Sequence, residues 1–269
     1  MRHEDAAGPG KGSGQTRAIQ ERFGPAAGAY AQSAVHRAGP DFEAMLAAGV
    51  RTGRERVLDV GCGAGHTALA FAPRVAEVVA LDLTDAMLDQ TLELATERGF
   101  ANVRVQRGDA ADLPFPDDRF DVVTSRLSAH HYADAGAAVR EAARVLAPGG
   151  IFLLSDTVAP EEPARDTFLN CFELLRDASH VRDYRISEWR GMLRDAGFEP
   201  EQLGQWKIEQ DFDPWVERIG THPDAVAGLR ALFDHVPQEV RSTFDIRGDG
   251  DYAFTLQLAL IAGRPRETP

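Results

Sequence analysis

The stretch Val57-Leu58-Asp59-Val60-Gly61-Cys62-Gly63-Ala64-Gly65 decides the fold of this chain. An apolar run with β-branched Val57 and Val60 reads as a strand, and three glycines at alternate positions follow it. Glycine lets the backbone turn steeply and leaves bare main chain for a ligand to lie against. A helical candidate, His66–Ala72, opens at once behind the turn. Strand, glycine turn and helix in that order begin a doubly wound sheet, which binds ligands beyond the carboxyl ends of its strands. A lone Gly-x-Gly also serves any tight strand-to-helix connection, so the spacing must discriminate. No Lys lies between Gly61 and Asp82, which removes the G-x-x-x-x-G-K-[ST] phosphate loop. Position 66 is His66, where the dinucleotide fingerprint G-x-G-x-x-G needs glycine.

Outward from this turn, short β-branched runs alternate with helical stretches. The runs are Arg56–Val60, Glu77–Asp82, Val103–Arg107, Phe120–Ser125 and Ile151–Asp156. The helical candidates are His66–Ala72, Asp85–Arg98 and Ala133–Leu146, the last with Asp134 as its cap and Pro148-Gly149-Gly150 as a sharp stop. Repeated β-α-β order implies a parallel sheet covered by helices on both faces.

Residues 1–16 are rich in Gly, Ala and Ser and read as a mobile tail; 17–50 read as an N-terminal helical segment, broken at Gly24-Pro25 and Gly39-Pro40. The core is expected over 51–160. Residues 161–245 break the alternation and read as a helical cap with one strand, Phe198–Trp206. Within it, Ser187 is expected to cap a helix with Arg190 three residues on, which is no capping box. Residues 246–264 hold a closing strand, with YAFTLQLALIA over Tyr252–Ala262.

Composition limits the function classes. The 269 residues carry 29 Lys and Arg against 42 Asp and Glu, a net charge of −13. Coating a nucleic-acid backbone or an anionic membrane needs clustered cations, so both are disfavoured. With 43% hydrophobic residues the chain can bury a core. Two cysteines, Cys62 and Cys171, supply neither a disulfide framework nor a zinc site. No apolar run reaches the ~18 residues of a membrane span, and no signal-peptide h-region follows Met1. The expected compartment is the cytoplasm.

Asp82 closes the second strand and Asp109 follows the third in Gly108-Asp109-Ala110. A carboxylate at the first place can accept both hydroxyls of a ribose, and one at the second can hold an adenine amino group. Each is also an ordinary strand-end turn residue when taken alone. In order with the glycine turn, they point to an adenosine-bearing ligand.

The ordered set LDVGCGAG, ALDLTDAMLDQ, GDAADLPFPDDRFDVVTSRLSAHH and VLAPGGIFLLSD resembles the class I, Rossmann-type S-adenosylmethionine-dependent methyltransferases. Within them it is most similar to the small-molecule group related to the ubiquinone/menaquinone-biosynthesis C-methyltransferases. The resemblance covers roughly residues 20–200 and implies an α/β, doubly wound, seven-stranded sheet, mostly parallel with its last strand antiparallel. It implies S-adenosyl-L-methionine as cofactor and S-adenosyl-L-homocysteine as product. Residue by residue, it passes Gly61, Gly63 and Gly65 under the methionyl part, while Asp59 supports the loop and, usually through water, the cofactor's amino group. Asp82 takes the ribose diol, Leu83 and Met87 pack on adenine, and Asp109 with Ala110 holds the adenine amino group. Arg126, Leu127 and Ser128 face the sulfonium and carboxylate end. Tyr30 matches an aromatic that covers the cofactor, with a plain core role as its rival.

Methyl transfer from a sulfonium mainly requires alignment and exclusion of water. A hydroxyl or acidic-carbon acceptor also needs a base, and His130 and His131 follow the fourth strand, where acceptor and methyl group meet. Capping the next helix or packing beside the cofactor is the alternative for each ring. Asp156 ends the fifth strand on the acceptor side. Asp117-Asp118 sits at the wrong end of the sheet for a catalytic metal, and no histidine spacing supports zinc, so no metal is expected. The expected function is methyl transfer to O or C of a small organic acceptor. A cofactor-binding enzyme of a non-methylating reaction, such as cyclisation, and a binding protein without turnover are the alternatives.

Overall fold

The computed structural model describes residues 14–33 and 37–266. Seven strands form one sheet: β1 (Arg56–Val60), β2 (Glu77–Asp82), β3 (Val103–Arg107), β4 (Phe120–Arg126), β5 (Leu146–Thr157), β6 (Phe198–Asp211) and β7 (Ala253–Pro265). Their order across the sheet is β3-β2-β1-β4-β5-β7-β6. β1 to β5 pair in parallel, and β7 runs antiparallel to both β5 and β6. The sequence therefore reverses direction between β1 and β4, with Leu58 flanked by Val79 and Val123.

The period-two pattern of the strands decides which side chains face which layer. On one face Leu58, Val60, Val123 and Leu154 pack under α5 (Ala135–Val145) and α7 (Ile186–Asp195). On the other, Val57, Val78, Val122 and Leu153 meet α2 (Pro40–Gly49) and α3 (His66–Phe71). α4 (Asp85–Glu97) follows β2. Leu58 and Val57 are fully buried on opposite faces, so truncating Leu58 to Ala would cost about 2–5 kcal/mol. Asp134 caps α5 as the sequence indicates, its Oδ1 accepting the Ala137 N–H at 2.7 Å.

Residues 161–245 divide between two layers. α7 and β6 join the main sheet, β6 pairing with β7 from Phe198 to Asp211, five residues beyond the expected end. α6 (Pro163–Arg176), α8 (Phe212–Glu217), α9 (Pro223–Asp234) and α10 (Gln238–Thr243) instead surround a separate aromatic cluster of Phe168, Phe172, Trp215, Phe233 and Phe254. Phe254 at the start of β7 plugs this lobe, with its ring 5.0 Å from that of Trp215.

Three local expectations are corrected. α1 (Gly14–Gln32) runs through Pro25 without a break, and it takes in the last residues of the expected tail. Pro25 and Glu21, whose carbonyl loses its partner, are both exposed, so water can replace the missing bond. The rest of the expected tail, 1–13, lies outside the described residues. β5 starts at Leu146, and a register shift opposite Phe120 and Val122 carries the Pro148-Gly149-Gly150 segment into the strand. α7 starts one residue before Ser187: Glu188 accepts the Arg185 N–H at 2.9 Å, while Glu161 holds the Ser187 N–H and hydroxyl.

Candidate active site

A cleft opens at the carboxyl ends of β1, β2 and β4, where the strand order reverses. Its floor is the glycine turn. Gly61, Gly63 and Gly65 have φ of +66°, +52° and +84°, a left-handed region costly for other residues. A Cβ on Gly61 would stand 2.6 Å from Ser128 Oγ, and one on Gly65 2.5 Å from the Thr91 methyl. A Cβ on Gly63 would meet nothing within 4 Å; Gly63 lines the cleft, so its missing side chain is room for a ligand. Between them Cys62 turns inward, its Sγ 3.9 Å from Thr91 Oγ1, and burial pushes its thiol well above the ordinary value.

The three acids divide their work. Asp82 stands in the cleft wall, where Oδ2 accepts the Gly63 N–H and Oδ1 the Thr84 N–H, both at 2.9 Å. Burial raises its pKa, against those bonds. Asp109 also lines the cleft beside Ala110 and accepts the Ala111 N–H at 2.9 Å. Asp59 lies behind the wall at 1% exposure, tying Thr124 Oγ1 (2.8 Å) to the Ala68 N–H (3.0 Å) and so anchoring the first turn of α3. Desolvation lifts it to about 7 despite these two bonds.

Leu83, Met87, Leu127 and Ser128 line the cleft. Leu127 holds φ +50°, a left-handed conformation that costs a branched residue about 1–3 kcal/mol, and its N–H is fixed by the Ser155 carbonyl at 2.9 Å. Arg126 also borders the cleft, but its guanidinium has a structural partner. Nε lies 2.5 Å and Nη2 3.2 Å from the Asp41 carboxylate, and the group stacks on Phe42 at 4.0 Å. Asp41 is fully buried and Ser155 Oγ donates to it as well. The pair therefore clamps α2 onto the ends of β4 and β5.

α1 roofs the cleft. Gln20 Nε2 donates to the Leu83 carbonyl at 2.9 Å, Gln15 Nε2 donates to the carbonyls of His131 and Ser179, and the His66 ring donates to the Tyr30 carbonyl at 3.1 Å. Tyr30 lines the cleft and meets Phe23 edge-on at 5.3 Å. Burial raises its hydroxyl pKa, with the Arg176 cation opposing. Gln15 and Gln20 escaped the sequence reading, because nothing in the polar face of a helix tells which loops it covers.

His130 and His131 occupy the one-turn segment after β4, their rings 4.3 Å apart. They face different partners. His131 lines the cleft; His130 lies behind it. The Ser179 carbonyl can only accept, so His131 Nδ1 at 3.0 Å carries a proton and its lone pair is on Nε2. Nε2 is 4.0 Å from Asp177 Oδ2, a buried oxygen without a hydrogen-bond partner, while Asp177 Oδ1 accepts from the Ser179 N–H and hydroxyl. His130 Nδ1 lies 2.6 Å from Asp156 Oδ1, and Asp156 Oδ2 accepts the His130 backbone N–H. Burial disfavours the His130 cation, yet Asp156, aided by Asp183 and Glu173, raises it to about 9. Burial and the adjacent His130 charge lower His131 to about 4. One proton is thus held by His130, and His131 stays neutral.

These residues fit an adenosine-bearing cation. Bare main chain at Gly63 leaves room for it, and the acids Asp82 and Asp109 lie in the wall at the ends of adjacent strands. Residues 58–154 match the family described as "Methyltransferase domain". YcgJ of Bacillus subtilis, an uncharacterized methyltransferase, is 41% identical over 240 residues, covering 88% of this chain and 95% of YcgJ. Its crystal structure superposes with a TM-score of 0.82 at 42% identity, covering 84% of this chain and 98% of that one. The BH2331 protein of Bacillus halodurans gives a TM-score of 0.81 at 38% identity, with 85% and 100% covered. The ubiquinone/menaquinone biosynthesis C-methyltransferase UbiE of Pseudomonas putida is 34% identical over 189 residues, 66% of this chain and 72% of UbiE. The chain belongs to the class I, Rossmann-type S-adenosylmethionine-dependent methyltransferases.

Proposed function

We propose that this methyltransferase acts in the cytoplasm on a small organic acceptor, at an oxygen or an acidic carbon, and that His131 receives the acceptor's proton. The observation that carries this reading is the tautomer of His131. The Ser179 carbonyl holds the Nδ1 proton, so the unprotonated Nε2 belongs to a ring that borders the cleft. When Nε2 takes a proton, Asp177 Oδ2 is the nearby carboxylate oxygen still lacking a partner. His130, charged against Asp156, presents a cation beside His131 and favours an acceptor that ionises readily, such as a phenol or an enol.

Gly63, Asp82 and Asp109 would hold S-adenosylmethionine, which supplies an activated methyl group when bound. The roof of α1, tied down through Gln15, Gln20 and Tyr30, excludes water from the same space. A cleft roofed by α1 suits a small molecule better than a polymer, and UbiE, by its name, methylates carbon in quinone biosynthesis. The acidic net charge argues against nucleic acid as acceptor.

The test is incubation with methyl-labelled cofactor and a panel of phenols, quinols and isoprenoid precursors. Labelled product is expected, and His131→Ala should lower turnover by about 10²–10⁴ while leaving cofactor affinity unchanged. Full turnover in His131→Ala removes the base assignment. Product formed without consumption of cofactor would instead favour a non-methylating reaction.

A further inference from the structure

Three metal-type donors that are remote in sequence converge behind the cleft. His130 leaves the turn after β4, Asp156 lies near the end of β5, and Asp183 sits in the loop before α7. One donor atom from each, an imidazole nitrogen and two carboxylate oxygens, lies within 4.8 Å of the others. Both aspartates are 1% exposed. Asp183 Oδ1 accepts the Thr157 hydroxyl, but its Oδ2 is shut off from solvent with no hydrogen-bond partner. A buried carboxylate oxygen left in that state is costly unless a positive charge faces it. Once the His130 proton is displaced, two carboxylates and a neutral imidazole together carry −2, which one divalent ion would cancel.

We propose that His130, Asp156 and Asp183 form a binding site for a divalent transition cation of the Zn²⁺, Mn²⁺ or Fe²⁺ class. An imidazole joined to two carboxylates is a mixed nitrogen and oxygen set, which suits these ions better than Ca²⁺ or Mg²⁺ with their oxygen shells. Ligand bonds of about 2.0–2.2 Å set donors roughly 3–4 Å apart, so side-chain shifts of about 1 Å complete the site. The ion enters by replacing the proton between His130 Nδ1 and Asp156 Oδ1, now 2.6 Å apart. The outer support is already built. Asp156 is oriented by the N–H groups of His130 and Thr157, and Asp183 by the Thr157 hydroxyl. Three protein ligands leave a coordination position for water. A bound ion would place beside His131 the positive charge that protonated His130 otherwise provides. The proposal does not depend on which acceptor is methylated, and its readouts do not include turnover.

The experiment strips the full chain with EDTA, titrates it with Co²⁺ and follows the visible ligand-field absorption. Metal content after gel filtration gives the stoichiometry, and circular dichroism checks each variant's fold. One Co²⁺ per chain is expected, displaced by Zn²⁺. Asp183→Asn and Asp156→Asn should each weaken binding at least about 10-fold. His222→Ala, at a surface histidine 74% exposed, should change nothing. If one aspartate variant does not fold, the other and the wild-type titration still decide. Failure of the wild type to retain Co²⁺ overturns the proposal. Equal retention by the folded aspartate variants, or loss only in His222→Ala, overturns it too.

Discussion

The imidazole of His130 and the carboxylate of Asp156 meet at 2.6 Å across the ends of two adjacent strands. This contact separates two histidines that are consecutive in the chain. His130 gains a carboxylate and keeps its proton; His131 gains a carbonyl and keeps a lone pair.

Removing the carboxylate should reverse the first of these states. In Asp156→Asn, burial is no longer outweighed, and the His130 pKa should fall from about 9 to below its ordinary 6.5. Titration of the imidazole proton resonances by NMR reads this directly. The sign for stability follows from the raised value. The stabilisation is fully present below about pH 6.5 and is lost as pH rises through about 9. Thermal midpoints should decline across that window in the wild type and decline less in Asp156→Asn; an unchanged slope would contradict the pairing.

Asp82 braces the loop through the Gly63 and Thr84 amides, and the proposed function gives it the ligand as well. Asp82→Ala should weaken binding of S-adenosylhomocysteine by about 1.5–3 kcal/mol, the range for charged hydrogen bonds, or roughly 10- to 150-fold. Titration calorimetry measures it. Unchanged affinity would mean that Asp82 only braces the Gly63 and Thr84 amides.

Two glycines of one turn should fail in different ways. In Gly61→Ala the new methyl meets Ser128 at 2.6–2.8 Å and Tyr132 Oη at 2.9 Å, and stability should drop by more than the ~1–2 kcal/mol of the left-handed backbone alone. In Gly63→Ala the methyl points into open space. Its stability loss should stay near the backbone cost while cofactor affinity falls. Chemical denaturation and binding titration, run on both variants, separate the two outcomes.

Asp41→Ala should destabilise the fold by about 3–5 kcal/mol, because it removes the carboxylate that faces the Arg126 guanidinium in a nearly solvent-free site. Urea unfolding gives the value. A double variant, Asp41→Ala with Arg126→Met, should recover much of the loss, since the cation that needed the buried carboxylate is removed with it.

The sheet was legible because its strands are nearly continuous apolar runs bounded by turn residues, with Val57 and Leu58 serving opposite layers. The glycine turn and the acids Asp82 and Asp109 were legible because local order along the chain places them at one sheet edge. Side-chain direction was not. His130 and His131 look alike in sequence, and only the positions of Asp156 and Ser179, 26 and 48 residues away, distinguish their rings. Arg126 matched a family position, yet Asp41, 85 residues earlier, engages its guanidinium. The bend at Pro25 was overcalled because a proline on the exposed side of a helix leaves its orphaned carbonyl in water.

β7 lies between β5 and β6, although β6 precedes it in the chain. Within the sheet β6 has no neighbour but β7. Until residues 253–265 dock along β5, the fourteen residues of β6 have no edge on which to assemble. Synthesis thus delivers a strand before the template it needs, and closure of the sheet waits on a contact spanning the whole aromatic lobe. Long-range closures of this kind are slow, so the edge of β5 is where a nascent or heat-stressed chain is most open to pairing with the wrong partner.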